Sequence, residues 1–193
     1  ALLVFVGTKN KKRRFGYTTD SLFISLRSFI MSDSIRLATA QDAAAICQIY
    51  NPYILNTVIS FETEAVSVEE MAQRIAEVSA NFPWLVYEEQ GRILGYAYAS
   101  KWRARKAYQH SVESSVYIAE DSGSKGIGTL LYQRLIAELS KQSVHAVFGG
   151  IALPNPGSVA LHEKLGFVKV GHLPEVGRKF DQWVDVGYWQ LIL

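Results

Sequence analysis

Residues 112–132, VESSVYIAEDSGSKGIGTLLY, constrain this chain more than any other stretch. Val112, Ser114, Val116 and Ile118 alternate with Glu113, Ser115 and Tyr117, the period of a strand with two different faces. A small, polar turn follows, Gly123-Ser124-Lys125-Gly126-Ile127-Gly128. Beyond it Leu130, Leu131, Leu135 and Ile136 recur at helical spacing. A strand, a glycine loop and a helix start together form a cradle for pyrophosphate. The first helical N–H groups lack intrahelical partners. The helix dipole adds positive potential at the same place. Glycine lets the backbone approach phosphate oxygens with no Cβ in the way.

Three cradles compete. A nucleotide P-loop needs GxxxxGK[ST], and no Lys-Ser or Lys-Thr follows the second glycine here. A dinucleotide fingerprint reads GxGxxG with an acid about 20 residues on. Here the order is reversed, and that acid is not clearly placed. The third is the coenzyme A loop of the GNAT acetyltransferases, [Q/R]-x-x-G-x-[G/A]. Gly126 and Gly128 fit it, while Gly123 stands where Gln or Arg is usual. An ordinary strand-to-helix turn containing glycine is a further reading of the loop taken alone.

The 193 residues are 49% hydrophobic and 20% charged, enough for one globular domain with a proper core. No apolar run approaches the roughly 18 residues that a membrane span needs, so no membrane partner is expected. One cysteine, Cys47, excludes an intramolecular disulfide and a multi-cysteine zinc site, and no metal is called for. Its apolar helical setting predicts a buried, inert thiol. Residues 1–30 hold six basic side chains against Asp20, so the whole chain's +2 conceals a body, 31–193, of net charge −3. A mildly acidic body argues against nucleic acid as a partner. The KNKKRR cluster at 9–14 would suit a targeting or polyanion patch, but the apolar stretch precedes the charges, the wrong order for a signal peptide. Met31 is followed at once by SDSIRLATAQD. The expectation is a leader or extraneous segment at 1–30 and a single domain at 31–193.

Along that domain, 35–38 reads as a strand. Thr39 with Asp42 forms an acidic capping box before a helix that buries Ala43, Ile46, Ile49, Tyr50 and Tyr53. Ser67 with Glu70 opens a second helix. Strands over 84–88 and 92–100 flank the turn 89–91. The strand 111–118, its loop and a helix to about 141 come next. An apolar strand at 146–151, a short helix opened by Asn155-Pro156, and strands at 167–173 and 185–193 complete the reading. This is a mixed α/β layer fold without repeats or an internal boundary.

Four segments now resemble one family: ASKWRARKAYQHSVE at 99–113, SVESSVYI with GIGTLLY at 111–132, IALPNPGSVALHEKLGF at 151–167 and FDQWVDVGYWQL at 180–191. They are similar to the phosphinothricin and methionine sulfoximine N-acetyltransferase branch of the GNAT superfamily. The resemblance implies a central mixed, mostly antiparallel sheet of about seven strands flanked by helices. It implies acetyl-CoA as donor and the α-amine of a small amino acid or toxic analogue as acceptor, in a cytoplasmic homodimer with each pocket close to the partner. Backbone groups of Val116, Tyr117 and Ile118 would pair with pantetheine amides, as a peptide adds to a sheet edge. Ser124, Lys125, Gly126, Ile127, Gly128 and Thr129 would hold the pyrophosphate. Asn155, Ser158 and Lys164 would contact the pantetheine or the adenosine end. Glu113 is implied as general base, and His162 resembles a family histidine near the site. The N–H of Val116 or Tyr117 would meet the tetrahedral oxyanion. Trp102, Arg103, Ala104, Arg105 and Tyr108 would select the substrate, because paired arginines suit a carboxylate, phosphinate or sulfoximine. Phe61 would wall the substrate side chain. Direct transfer is expected, since no activated Cys or Ser is apparent. The alternatives are a GNAT enzyme acting on a protein N-terminus or other amine, or an acyl-CoA sensor without turnover.

Overall fold

The computed structural model describes residues 34–122 and 126–193. The expectations for residues 1–30, and for Gly123, Ser124 and Lys125 of the loop, lie outside the described residues. The elements run β1 (Ser34–Leu37), α1 (Ala43–Asn56), α2 (Val68–Ser79), β2 (Trp84–Glu89), β3 (Arg92–Lys101), β4 (Ser111–Ile118), α3 (Ile127–Leu139), β5 (Ala146–Leu153), α4 (Pro156–Lys164), β6 (Val168–Lys179) and β7 (Gln182–Ile192). Short 3-10 turns precede α1 and β4 and follow β4.

The strands form one seven-stranded sheet in the order β1-β2-β3-β4-β5-β7-β6. Every pairing is antiparallel except β4 with β5, which run parallel. That exception sets up the site. β4 and β5 pair only from Ser111↔Ala146 to Glu113↔Phe148, after which the two strands part. Residues 114–118 of β4 keep β3 on one side and face an opening on the other.

Two cores cover the sheet. On one face Leu131, Tyr132, Leu135 and Leu139 of α3 pack on Val112, Val147, Ile151 and Trp189. On the other, Ile46, Ile49, Tyr50 and Ile54 of α1 and Met71 and Ile75 of α2 pack on Trp84, Val86 and Tyr96. The alternation of strand side chains thus fills both layers. Trp84, Tyr96 and Tyr98 stack in the second core, with Tyr117 against Tyr96 and the edges of Tyr50 and Tyr53. Among the described residues, the Trp84 indole N–H is a buried donor without a partner. Trp84 lines a cavity of about 210 Å³, room enough for water.

Local chemistry explains the element starts. The Asp42 carboxylate accepts from the Thr39 N–H at 2.7 Å and from both terminal nitrogens of Arg36 at 2.8 Å. Ser67 Oγ accepts from the Glu70 N–H at 3.1 Å and starts α2. The largest departure from the sequence expectation is the β6–β7 hairpin. β6 continues six residues past 173 to Lys179, and β7 begins at Gln182. Pro174, Glu175 and Gly177 break the apolar alternation because the register slips between Leu173 and Gly177. The turn Phe180-Asp181 has φ of 49° and 58°, a left-handed pair usually signalled by Asn-Gly. No described helix is long and apolar enough to cross a membrane.

Candidate active site

The parting of β4 from β5 leaves backbone groups of β4 without a strand partner. The Ala119 N–H donates to the Leu94 carbonyl, and the Trp102 N–H to the Ser111 carbonyl. In an antiparallel ladder the bonded pairs alternate. With Tyr96 opposite Tyr117 and Tyr98 opposite Ser115, the odd-numbered residues of β4 turn their backbone groups to β3. The even-numbered ones, Ser114, Val116 and Ile118, turn theirs to the opening. This divides the three residues expected to meet a pantetheine chain. The Tyr117 backbone is taken up by β3. The Ile118 carbonyl accepts from Tyr53 Oη–H at 2.7 Å. The N–H groups of Val116 and Ile118 and the Val116 carbonyl face the opening.

The helix start behind the opening has the expected form. Gly126 is the N-cap of α3 at φ 77°, a left-handed conformation that suits glycine. Thr129 is half-buried in the first turn, whereas the Ile127 side chain is buried in the core. Gly128 has a packing reason: a Cβ there would sit 3.3 Å from Leu161 of α4. Asn155 caps α4, its Oδ1 accepting from the Ser158 N–H at 3.1 Å. Lys164 is exposed in the last turn of α4.

Glu113 and His162 lie against consecutive glycines of β5, on opposite faces of the sheet. A Cβ on Gly150 would stand 3.0 Å from Glu113 Oε1. A Cβ on Gly149 would overlap the His162 imidazole. His162 is 3% exposed. Its Nδ1 lies 2.8 Å from the Ser158 carbonyl, which can only accept, so Nδ1 carries the proton. Nε2 therefore accepts from Tyr132 Oη–H at 3.0 Å. Ser114 Oγ touches that hydroxyl at 3.2 Å and donates to the Phe148 carbonyl at 3.1 Å. Burial lowers the His162 pKa, against the Ser158 bond that raises it, which keeps the ring neutral. The structure does not bring His162 into a shared cavity with Glu113.

Glu113 instead opens into a cleft of about 590 Å³ on the α1 face, with Tyr50, Phe61, Glu62, Tyr117 and Tyr188 in its walls. Burial pushes the Glu113 carboxyl above the ordinary range, and the charge of Arg103 partly restrains that rise. Trp102 stacks on Phe148 at 4.4 Å and meets the edge of Tyr188 at 5.4 Å. The Arg103 guanidinium lies over the Trp102 ring, 5.0 Å from its centre. Trp102 and Arg103 are thus drawn toward Glu113. Ala104, Arg105 and Tyr108 sit on the exposed end of the same loop. Sequence reasoning missed Tyr50, Glu62 and Tyr188. The pair Gly149-Gly150 inside a strand was the available signal, because mid-strand glycine marks a close approach.

A larger cavity, about 910 Å³, lies between α1 and the β2–β3 hairpin, with Arg36, Asp42, Tyr53, Arg92 and Asp121 in its walls. None of the sequence-predicted site residues lines it. The perturbed carboxylate makes the smaller cleft the candidate site of chemistry.

The sequence and the fold match those of known proteins. The family model described as an acetyltransferase (GNAT) domain matches residues 35–187. The chain is 42% identical over 156 residues to the phosphinothricin N-acetyltransferase of Streptomyces viridochromogenes, covering 81% of this chain and 85% of that one. It is 37% identical over 161 residues to the L-methionine sulfoximine/L-methionine sulfone acetyltransferase of Salmonella typhimurium, covering 83% and 94%. The crystal structure of a phosphinothricin acetyltransferase from Sinorhizobium meliloti in complex with acetyl-CoA superposes with a TM-score of 0.80 at 35% identity, covering 84% and 89%. With the parted β4 and β5, the helix N-terminus beside them and these matches, the chain belongs to the GNAT acetyltransferase family.

Proposed function

We propose that this protein moves acetyl from acetyl-CoA to the α-amine of a small amino acid or a toxic analogue. Phosphinothricin and methionine sulfoximine or sulfone, named for its relatives, are the leading acceptors. The carrying observation is Glu113, a half-buried carboxylate of raised pKa that opens into a substrate-sized cleft beside Arg103. The opening between β4 and β5 fits the donor, since it offers unpaired N–H and C=O groups in a row and ends at a helix N-terminus.

The thioester supplies an activated acetyl carbon. An α-ammonium must lose a proton before it can attack. Glu113 accepts that proton, its raised pKa bringing it closer to the amine's. The neutral amine then forms the C–N bond, the C–S bond breaks, and CoA leaves as thiolate, which takes up the proton that the new amide nitrogen sheds. The Val116 N–H faces the opening and is the donor placed to meet the developing oxyanion. Arg103 supplies a cation near Glu113 for the acceptor's carboxylate or phosphinate. Direct transfer is supported by the state of Cys47. It is 5% exposed, its Sγ–H donates to the Ser67 carbonyl, and burial raises its pKa. His162 is read as a buried support of the α3–α4 layer.

The working form is proposed to be a homodimer. Val168, Val170, Val176, Phe180 and Trp183 stand exposed on β6, β7 and the turn between them, apolar surface that a second copy would cover.

CoA thiol release from acetyl-CoA tests the reading across phosphinothricin, methionine sulfoximine, methionine sulfone, ordinary amino acids, a polyamine and a peptide N-terminus. Release with the amino acids and their analogues is expected. Release with the peptide or polyamine alone, or none at all, would overturn it.

A further inference from the structure

Lys179 ends β6 and is 5% exposed, an unusual place for an ammonium. No carboxylate lies within ion-pair distance of it among the described residues. Its Nζ donates to the Ser60 carbonyl at 2.5 Å. Burial lowers its pKa, and the charge of Glu62 counters that shift. Its Nζ also lies 5.1 Å from the centre of the Phe180 ring, but burying a cation against one carbonyl and an exposed ring still costs stability, so packing alone does not account for a lysine here. A methionine would fill the same space without that cost.

What Lys179 holds is a wall of the cleft. The loop 57–66 contributes Ile59, Ser60, Phe61 and Glu62 to the cavity beside Glu113. Ser60 is itself buried at 4% exposure, with its Oγ 2.9 Å from Tyr50 Oη. Tyr50 Oη–H donates to Glu62 Oε1 at 2.8 Å, and Arg74 grips both Glu62 oxygens at 2.8 and 2.9 Å. The Phe61 ring packs against Gly177, two residues before Lys179, where a Cβ would drive into it. The loop is therefore tied to α1 through Tyr50 and through Asn51, which bonds both backbone groups of Val66, to α2 through Arg74 and to β6 through Lys179. Of these ties, Lys179 alone reaches the loop backbone from the far side of the cleft. Lys179 does not line the cavity.

We infer that Lys179 is a positioning residue of the acceptor site, holding loop 57–66 across the cleft by its bond to the Ser60 carbonyl. The inference rests on the acceptor site proposed above. It predicts that loss of the tether loosens acceptor binding and leaves donor binding and proton removal alone.

The test compares Lys179→Met and Lys179→Arg with wild type. The readouts are KM for acceptor and for acetyl-CoA, the pH midpoint of kcat, the melting temperature and amide hydrogen exchange. Lys179→Met is expected to raise acceptor KM about tenfold, with acetyl-CoA KM and the pH midpoint unchanged and faster exchange confined to 57–66. Lys179→Arg keeps a charged donor and is expected to recover acceptor KM to within about threefold. If Lys179→Met does not fold, Lys179→Gln replaces it with the same expected pattern. Wild-type acceptor KM and wild-type loop exchange in Lys179→Met would overturn the inference. So would equal losses in both KM values and kcat together with a lowered melting temperature, the pattern of a merely structural residue. If the wild type acetylates no acceptor, the functional reading fails. Exchange in loop 57–66, read without acceptor, still decides the tether.

Discussion

Gly149 and Gly150 show how single residues place the chemistry. One clears space for His162 and the other for Glu113, on opposite faces of β5. Alanine at the two positions should therefore act differently. Gly149→Ala forces a Cβ into a buried imidazole with no room to give, and is expected to destabilise the protein by about 1–3 kcal/mol in denaturant melts. Gly150→Ala meets the Glu113 carboxylate at the edge of an open cleft. It is expected to leave the melting temperature within a few degrees and to lower kcat as the carboxylate is displaced. Equal effects on stability would mean that the two faces are not distinct. Neither residue announced its role in the sequence by type. A strand of alternating valine and phenylalanine would have read the same to a periodicity argument, and only the doubled glycine pointed to a close approach.

At the scale of elements, the start of the domain is held by charge. Arg36 on β1 grips Asp42 ahead of α1, and Asp42 also accepts the Thr39 N–H. Arg36 holds the Asp42 carboxyl below its ordinary range, and the Thr39 bond adds to this. A depressed folded pKa contributes stability above the unfolded value, and that contribution is lost as pH falls through the folded value. Asp42→Ala is expected to cost about 1–3 kcal/mol at neutral pH. The gap from wild type should shrink below about pH 4, as wild-type Asp42 protonates. A pH-independent gap would assign the loss to packing. The capping box and β4 were legible because their signals are local: Thr39 and Asp42 three apart, and an apolar alternation ending in glycines. The second half of β6 was not. Its bulge and its Phe180-Asp181 turn are stabilised by pairing with β7 and by Asp185, whose carboxylate takes the Glu175 N–H and His172. Such long-range partners leave no local pattern.

For the whole molecule, the short parallel pairing of β4 with β5 opens the sheet beside the candidate site. Three residue pairs hold the strands together, and the opening beyond them is the donor channel in the proposed reading. The loop glycines, the strand and the helix were readable as a cradle, yet the side of β4 left free was not, because it depends on which neighbour strand each backbone group meets. The β6–β7 hairpin leaves Val176 and Trp183 more than half exposed. Light scattering should give a dimer mass for the wild type, and Trp183→Glu with Val176→Glu should shift it toward the monomer. A wild-type monomer at micromolar concentration would contradict the proposed assembly.

The central claim is that Glu113 removes the acceptor's proton in this cleft. The direct measurement is the pH profile of kcat/KM for acetylation, wild type against Glu113→Gln. The account predicts that wild-type activity falls with acid through a midpoint above the ordinary glutamate value. Glu113→Gln should lose about 10²–10⁴-fold near neutral pH and regain part of the loss at high pH, where the amine is already neutral. A Glu113→Gln enzyme with wild-type rate and profile below the amine's pKa would contradict it.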